Sequence, residues 1–179
     1  MRLRALVLTT LIGFLGPSAV PAQEASTASP ASPVTVIFVR PERFTDVKGS
    51  CMGPDDRSGP ILDELAGFIR ETALRFMPEG STLAITVTDV DLAGEFGVPV
   101  RFPQWCDARV YRDIYAPRFD LEFWLTDSTG RVVHADTRVL RDSNYLTRVA
   151  LPPSDPLRYE KRLLLDWLQS EFDPRGATR

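Results

Sequence analysis

Residues 118–140 read RFDLEFWLTDSTGRVVHADTRVL. This stretch decides the fold because its first nine residues alternate, which places their phenylalanines and leucines on one face of an extended strand. The DSTG turn at 127–130 follows, with glycine where a hairpin needs a left-handed backbone. Residues 131–140 then return as the partner strand. The stretch therefore predicts an antiparallel β-hairpin with one buried face.

Toward the N-terminus, the pattern predicts a strand, a helix and a second strand. Residues 34–39 read VTVIFV, and a strand that is apolar on both faces is typical of a central position in a sheet. From Pro60 to Phe76 the apolar residues follow a helical spacing. Residues 82–92 are again rich in β-formers. This succession predicts a parallel βαβ unit.

The remaining elements complete the predicted fold class. Residues 108–114 predict a further strand, and Leu157 to Phe172 predict a second amphipathic helix. The fold is expected to be α+β: a two-layer sandwich with a mixed, mostly antiparallel sheet in the order β-α-β-β-β-β-α and two helices packed on it. One domain is predicted over residues 34–173, followed by a frayed tail at 174–179.

The N-terminus has the three parts of a secretory signal peptide. Arg2 and Arg4 precede an apolar run at 5–15, and small residues stand at positions −3 and −1 of a cut after Ala22. The apolar run is shorter than the roughly 20 residues of a membrane span. We therefore expect a signal peptide over 1–22, a flexible lead-in over 23–33, and a soluble periplasmic product with no membrane span after cleavage.

Charge argues against a nucleic-acid partner. The chain has 179 residues with 21 Lys and Arg, 24 Asp and Glu and a formal net charge of −3. Removing the signal peptide takes away two arginines and no acid, so the mature chain is more acidic still. Nonspecific phosphate binding relies on clustered Lys and Arg, which this sequence lacks.

Cys51 and Cys106 are the two cysteines of the chain. An even count in an exported protein indicates pairing, and two cysteines allow one intramolecular disulfide. A metal site needs more ligands than two cysteines and the single His134 readily supply, so no metal is assigned to them. A reactive thiol remains the other alternative.

The acids Asp89, Asp91 and Glu95 form the most informative polar cluster. Strict alternation along residues 82–92 would turn Asp89 and Asp91 toward the core, where an unpaired carboxylate is costly. Three interpretations stay open. The acids bind a hard cation, the strand ends or bulges before them, or they pair with arginines such as Arg112 and Arg118. All five residues are candidate binding residues.

No catalytic set is visible in the sequence. It has no Gly-x-Ser-x-Gly, no His-Glu-x-x-His and no phosphate loop, and we assign no catalytic residue and no cofactor. Trp105, Tyr111, Tyr115 and Trp124 are candidates for exposed aromatics, which mark binding surfaces. We therefore predict a non-catalytic envelope domain that binds a protein, a peptide or a cell-envelope ligand. The alternative is an acid-dependent or divalent-cation-dependent enzyme that uses the acidic cluster.

Four segments in order carry a resemblance to a known family. They are residues 34–46, 87–94, 109–118 and 157–161 with 166–167, and together they resemble the bacterial domain of unknown function 3016 family. The resemblance covers nearly all of the predicted mature chain. It implies a proteobacterial periplasmic protein and implies no activity. The family pattern does not include the two cysteines, so their pairing is expected to be an addition in this chain.

Overall fold

The computed structural model describes residues 32–49, 58–96, 109–148 and 152–173. Its helices and strands are β1 Val34–Phe38, α1 Ser58–Ala73, β2 Thr82–Asp91, β3 Glu95–Phe96, β4 Arg109–Val110, β5 Arg118–Thr126, β6 Val132–Arg141 and α2 Arg158–Phe172. Within these residues one sheet has the order β1-β2-β5-β6, and β3 pairs with β4 separately. The predicted α+β class, with a mixed sheet and two helices, is confirmed.

Strand β1 pairs with β2 in parallel, as the predicted βαβ unit requires. It lies at the edge of the sheet, so the predicted central position is wrong. Val34 and Val36 are buried, whereas Ile37 on the opposite face is 52% exposed. The apolar run reflects β-propensity on an open face and does not reflect burial on both sides.

The predicted hairpin is confirmed in β5 and β6, which pair antiparallel. The apolar side chains of β5 are buried and alternate with less buried ones. Trp124 is among the outward-facing residues and is 37% exposed. Gly130 adopts a φ of 84° in the turn, where a side chain would be strained.

The predicted strand over residues 108–114 differs most from the structure. The structure describes residues 109–114 of it, and the first two form strand β4. This strand pairs with β3 in a small ribbon outside the main sheet. Beyond Val110 the chain turns, and Tyr115 N donates to Arg112 O at 3.0 Å. Arg109 in β4 donates hydrogen bonds to the carbonyl groups of Ala93 and Gly94, which follow β2, and these contacts hold the ribbon beside the end of that strand.

A bulge near the end of β2 fixes where the acidic cluster lies. The register with β5 shifts between Val87 and Asp89. After the shift Val90 and Leu92 enter the core, and Asp89 and Asp91 are only half-buried. A bulge inserts one residue and so exchanges the faces of those that follow. Of the three interpretations of these acids, the backbone therefore shows the bulge.

The two helices cover one face of the sheet and enclose the core. In α1 the buried stripe includes Leu62, Leu65 and Ile69. In α2 it includes Leu164 and Leu168, and it begins with Glu160. No helix in the part of the chain that the structure describes is both long enough and apolar enough to cross a membrane.

Candidate functional site

The predicted acid Asp89 has definite partners. Its two carboxylate oxygens accept hydrogen bonds from Thr45 N and Thr45 Oγ1, each at 2.7 Å. Arg118 Nη1 lies 3.7 Å from Asp89 Oδ2, and Arg118 also pairs with Asp120. The structure thus brings Asp89 and Arg118 together, and the predicted pairing with an arginine is present alongside the bulge.

Asp91 and Glu95 line a shallow cleft beside this cluster. We call it the acidic cleft; it is lined by Thr45, Asp46, Lys48, Asp91, Gly94, Glu95, Phe96 and Tyr115. Burial raises the pKa of Asp91, and the nearby carboxylates Asp46 and Asp89 raise it further. Among the residues that the structure describes, no group of three or more His, Cys, Asp or Glu side chains is placed to hold a metal ion.

The other predicted site residues are scattered. Arg112 is exposed, and its backbone carbonyl accepts a hydrogen bond from the Tyr145 hydroxyl at 2.7 Å. Tyr111 packs edge-on against Tyr159, so it is not a freely exposed aromatic. Cys51, Cys106 and Trp105 lie outside the described residues. So do the predicted signal peptide, most of the lead-in and the tail.

A second acidic site, which the sequence analysis missed, is built around Glu160 in the first turn of α2. The side chain is 2% exposed. Its Oε1 accepts a hydrogen bond from Ala93 N at 2.6 Å. Its Oε2 is also buried and has no hydrogen-bond partner. A buried polar atom without a partner is costly and needs an explanation.

Glu160 lines a half-open cleft of about 510 Å³ between α1, the start of α2 and the β3–β4 ribbon. We call it the Glu160 pocket; its lining is Lys48, Gly49, Pro60, Ile61, Glu64, Leu92, Ala93, Phe96, Arg109, Tyr111, Pro156, Leu157 and Glu160. Most of these side chains are apolar. The volume falls in the range of small-molecule sites, which combine apolar walls with a few placed polar groups.

Burial controls the electrostatics of the pocket. It raises the pKa of Glu160 from 4.5 to about 6. Hydrogen bonds from the backbone of Ala93 and of Glu160 itself, and then the charges of Arg109 and Arg158, offset part of that effect. Neither arginine donates a hydrogen bond to the carboxylate. Arg158 donates to Asp155 O at 3.2 Å, and its guanidinium lies over the rings of Tyr111 and Tyr159. The carboxylate therefore has no direct hydrogen bond to a cationic side chain.

Arg109 lines the Glu160 pocket and forms an ion pair with Asp46, which lines the acidic cleft. Its Nη1 donates to the carbonyls of Ala93 and Gly94 at 3.1 and 2.9 Å. Its Nη2 donates to Asp46 Oδ2 at 2.9 Å and to Lys48 O at 3.2 Å. The guanidinium also stacks over the Phe96 ring at 4.7 Å. These contacts give Arg109 a structural role, and both of its Nη atoms already donate hydrogen bonds within the protein.

Gly94 lets the chain turn between the two sites. Its φ is 75°, and a Cβ at this position would lie 2.9 Å from the Tyr111 ring and 2.9 Å from Val110 O. Any other residue would thus be both strained and in collision. The turn sends the Ala93 amide toward Glu160 and the Glu95 side chain toward the acidic cleft.

The polar side chains that line the pocket are those of Lys48, Glu64, Arg109, Tyr111 and Glu160. They can form hydrogen bonds and ion pairs with a ligand. Apolar walls such as Ile61 and Leu157 can cover the rest of that ligand.

A signal for Glu160 was present in the sequence. Glu160 precedes Leu164 by four residues and Leu168 by eight, so it occupies a core position of the helical stripe. A carboxylate at such a position is rare unless it is paired.

The fold and the pocket together define a small α+β domain with one buried carboxylate facing an apolar cavity. The chain belongs to the family described as "Protein of unknown function (DUF3016)", whose model matches residues 32–170. This match confirms the resemblance seen in the four sequence segments. Comparisons with curated proteins and with solved structures found no match.

Proposed function

We propose that this protein is a non-catalytic ligand-binding domain of the bacterial periplasm and that the Glu160 pocket is its binding site. One observation carries the proposal: Glu160, whose carboxylate is buried and accepts one hydrogen bond from another residue, lines a cavity of about 510 Å³ with mostly apolar walls. Burying a carboxylate with so few partners costs free energy. A ligand that brings a hydrogen-bond donor within reach of this carboxylate would reduce that cost.

The alternative enzyme, which uses Asp89, Asp91 and Glu95, has less support. Asp89 spends both oxygens on Thr45, and Arg118 stands beside it. Glu95 is exposed and engages the Tyr115 hydroxyl. Asp89 and Glu95 therefore already have hydrogen-bond partners within the protein. The Glu160 pocket offers more apolar wall and a more deeply buried carboxylate.

Mass spectrometry of the purified protein tests the binding function. We would isolate the exported protein from cells, denature it and identify the small molecules it releases. Ile61→Trp should empty the pocket, since Ile61 lines it. Ile37→Trp is the matched control, because Ile37 is an exposed residue of β1. A compound retained by the wild type and the control but lost from Ile61→Trp supports the proposal. Equal retention in all three proteins, or none in any, contradicts it.

Export is part of the same proposal and rests on the predicted signal peptide. Expression of the full chain should yield a periplasmic protein whose N-terminus is Gln23. Fractionation followed by N-terminal sequencing measures both properties. A full-length protein confined to the cytoplasm would contradict the assignment.

We also propose that Cys51 and Cys106 form a disulfide in that compartment. Support comes from two nearby residues that the structure describes, Lys48 and Arg109, because Lys48 O accepts a hydrogen bond from the Arg109 side chain. Cys51 follows Lys48 by three residues, and Cys106 precedes Arg109 by three. Three residues of chain reach about 10 Å, so the pairing is within range. Alkylation without reduction should leave both thiols unlabelled, and labelling of both would refute the bond.

A further inference from the structure

We infer that two copies of this chain associate through the outer edge of β6, which pairs with itself in antiparallel about a two-fold axis at Thr137. The surface is separate from the Glu160 pocket, because none of the residues that carry the inference lines that pocket. Three features of β6 lead to it: an edge that the described residues leave open, the backbone of Thr137, and the charges on either side of Thr137.

The two edges of the sheet differ in their protection against pairing with another chain. β1 is five residues long, with Pro33 before it and Pro41 soon after it, and a short edge strand flanked by prolines resists such pairing. β6 has ten residues and contains neither proline nor lysine. No strand in the described part of the chain pairs with its outer side, and Val133 and Val139 are 48% and 64% exposed. β6 is therefore the edge that is open to a second strand.

The backbone of Thr137, near the middle of β6, lies on this open side. Thr137 N donates to Asp136 Oδ1 at 2.7 Å, and Thr137 O accepts a hydrogen bond from Arg138 Nη1 at 3.3 Å. Both partners are side chains of adjacent residues that solvent reaches, so a strand laid beside β6 can replace these bonds with ladder hydrogen bonds. Alternate residues of an antiparallel strand turn their N–H and C=O groups toward the same neighbour, so Ala135 and Val139 present theirs on this side as well.

The charges beside Thr137 select the register of the pair. With the axis at Thr137, Asp136 of each copy lies opposite Arg138 of the other copy, which makes two cross-strand pairs of opposite charge. An axis at Asp136 would place two aspartates opposite one another, and an axis at Arg138 would do the same with two arginines. Opposite charges at facing positions stabilise a strand pair, and like charges destabilise it. An axis between two residues would set the helix-covered face of one copy beside the open face of the other.

The space beside β6 can hold the side chains that this pairing brings in. An open groove of about 920 Å³ lies along β6 and α2, and its charged lining residues are Arg138, Arg141, Arg148, Asp166, Glu171 and Asp173. Arg138 donates hydrogen bonds to both carboxylate oxygens of Glu171 at 2.9 Å, which fixes its guanidinium in the groove. Asp136 lies on the same face of β6 as Arg138. Asp136 of the second copy would therefore meet an arginine that is already positioned.

Disulfide cross-linking of the exported protein tests the register. Directly opposed residues of an antiparallel pair have Cα atoms about 4.5–5.5 Å apart, which a disulfide can span. Thr137→Cys should therefore give a covalent dimer on oxidation with copper phenanthroline, above the background of the wild type. Val139→Cys is the matched control, because it is an exposed position of the same strand. It would lie opposite Ala135 of the second copy and about 14 Å from its own counterpart.

Charge reversal tests the pairing without added thiols. Sedimentation equilibrium of the wild type from about 2 to 200 µM should show a concentration-dependent dimer. Asp136→Arg and Arg138→Asp should each weaken the dimer at least about tenfold, because each places like charges opposite one another. A one-to-one mixture of the two variants should recover the dimer, since every arginine then faces an aspartate. Arg131→Asp, in the turn before β6, should leave the association unchanged.

The outcomes decide the inference as follows. A covalent dimer from Thr137→Cys but not from Val139→Cys, together with recovery in the mixture, supports it. A wild type that stays monomeric at every concentration, equal cross-linking of the two cysteine variants, or a dimer that neither charge reversal weakens overturns it. If circular dichroism shows that Arg138→Asp does not fold, the cross-linking pair decides together with Asp136→Arg, which keeps the bonds between Arg138 and Glu171.

Discussion

The Glu160 pocket and the acidic cleft share Lys48 and Phe96 in their linings and hold their carboxylates in different environments. Asp89, at the border of the cleft, is half-buried and accepts hydrogen bonds from Thr45 beside Arg118. Glu160 in the pocket is 2% exposed and accepts one hydrogen bond from another residue, the 2.6 Å bond from Ala93 N. A deeply buried carboxylate with few partners is the better sign of a ligand site than half-buried acids with partners.

Removing Arg109 would have the largest effect, because its guanidinium links residues of both sites. Arg109→Ala leaves Asp46 without its cation and three carbonyls without their donor. Loss of a partly buried ion pair together with these bonds should lower the free energy of unfolding by about 3 kcal/mol. Urea denaturation at pH 7 measures it.

Arg112→Ala is the matched control for that change, because Arg112 is exposed and contributes its backbone carbonyl. Its effect should stay within about 0.5 kcal/mol. Similar losses in the two variants would show that Arg109 does not brace the sites.

Glu160→Gln should stabilise the unliganded protein at neutral pH. Burial raises the pKa of Glu160 from 4.5 to about 6, so the folded state binds the proton more tightly than the unfolded state. That contribution is fully present below pH 4.5 and is lost as pH rises through 6. Above pH 6 ionisation therefore costs the wild type about 2 kcal/mol, which a glutamine avoids.

Chemical denaturation of wild type and Glu160→Gln from pH 4 to 8 checks the sign. The two stability curves should converge near pH 4 and separate above pH 6. Glu95→Gln, at an exposed acid, should follow the wild type within about 0.5 kcal/mol. A Glu160→Gln variant that is less stable than the wild type at pH 7 would mean that the buried charge is already compensated.

The sequence predicted the architecture well because alternation and helical spacing report burial directly. The β5–β6 hairpin and the parallel β1–β2 pair follow from those periods. The bulge at Thr88 does not follow from them, because it depends on the register with β5 and on hydrogen bonds from Thr45, a residue distant in the sequence. The Glu160 pocket is also formed by distant segments, and in the sequence its carboxylate was visible just as a polar residue on a buried stripe.

Asp89→Asn should have a smaller effect than the two changes above. The substitution removes the charge that faces Arg118 and one of the two acceptors for Thr45. Because the site is partly solvated, we expect a loss of about 1 kcal/mol in the free energy of unfolding. Thr45→Val, which keeps the backbone donor and removes the hydroxyl, should reproduce part of that loss. No change in either variant would show that the cleft does not depend on this network.

Asp91→Asn has the smallest expected effect and the opposite sign. Burial, followed by the charges of Asp46 and Asp89, raises the pKa of Asp91, so its ionised form is disfavoured in the folded state. The variant should be slightly more stable than the wild type at pH 7, by less than about 1 kcal/mol after solvent screening, and the difference should vanish in acid. Paired denaturation curves of Asp91→Asn and Asp89→Asn measure it. If both substitutions destabilise the protein equally, Asp91 belongs to the same network as Asp89, Thr45 and Arg118. The acids of the cleft would then behave alike, and the contrast would hold only between the cleft and the Glu160 pocket.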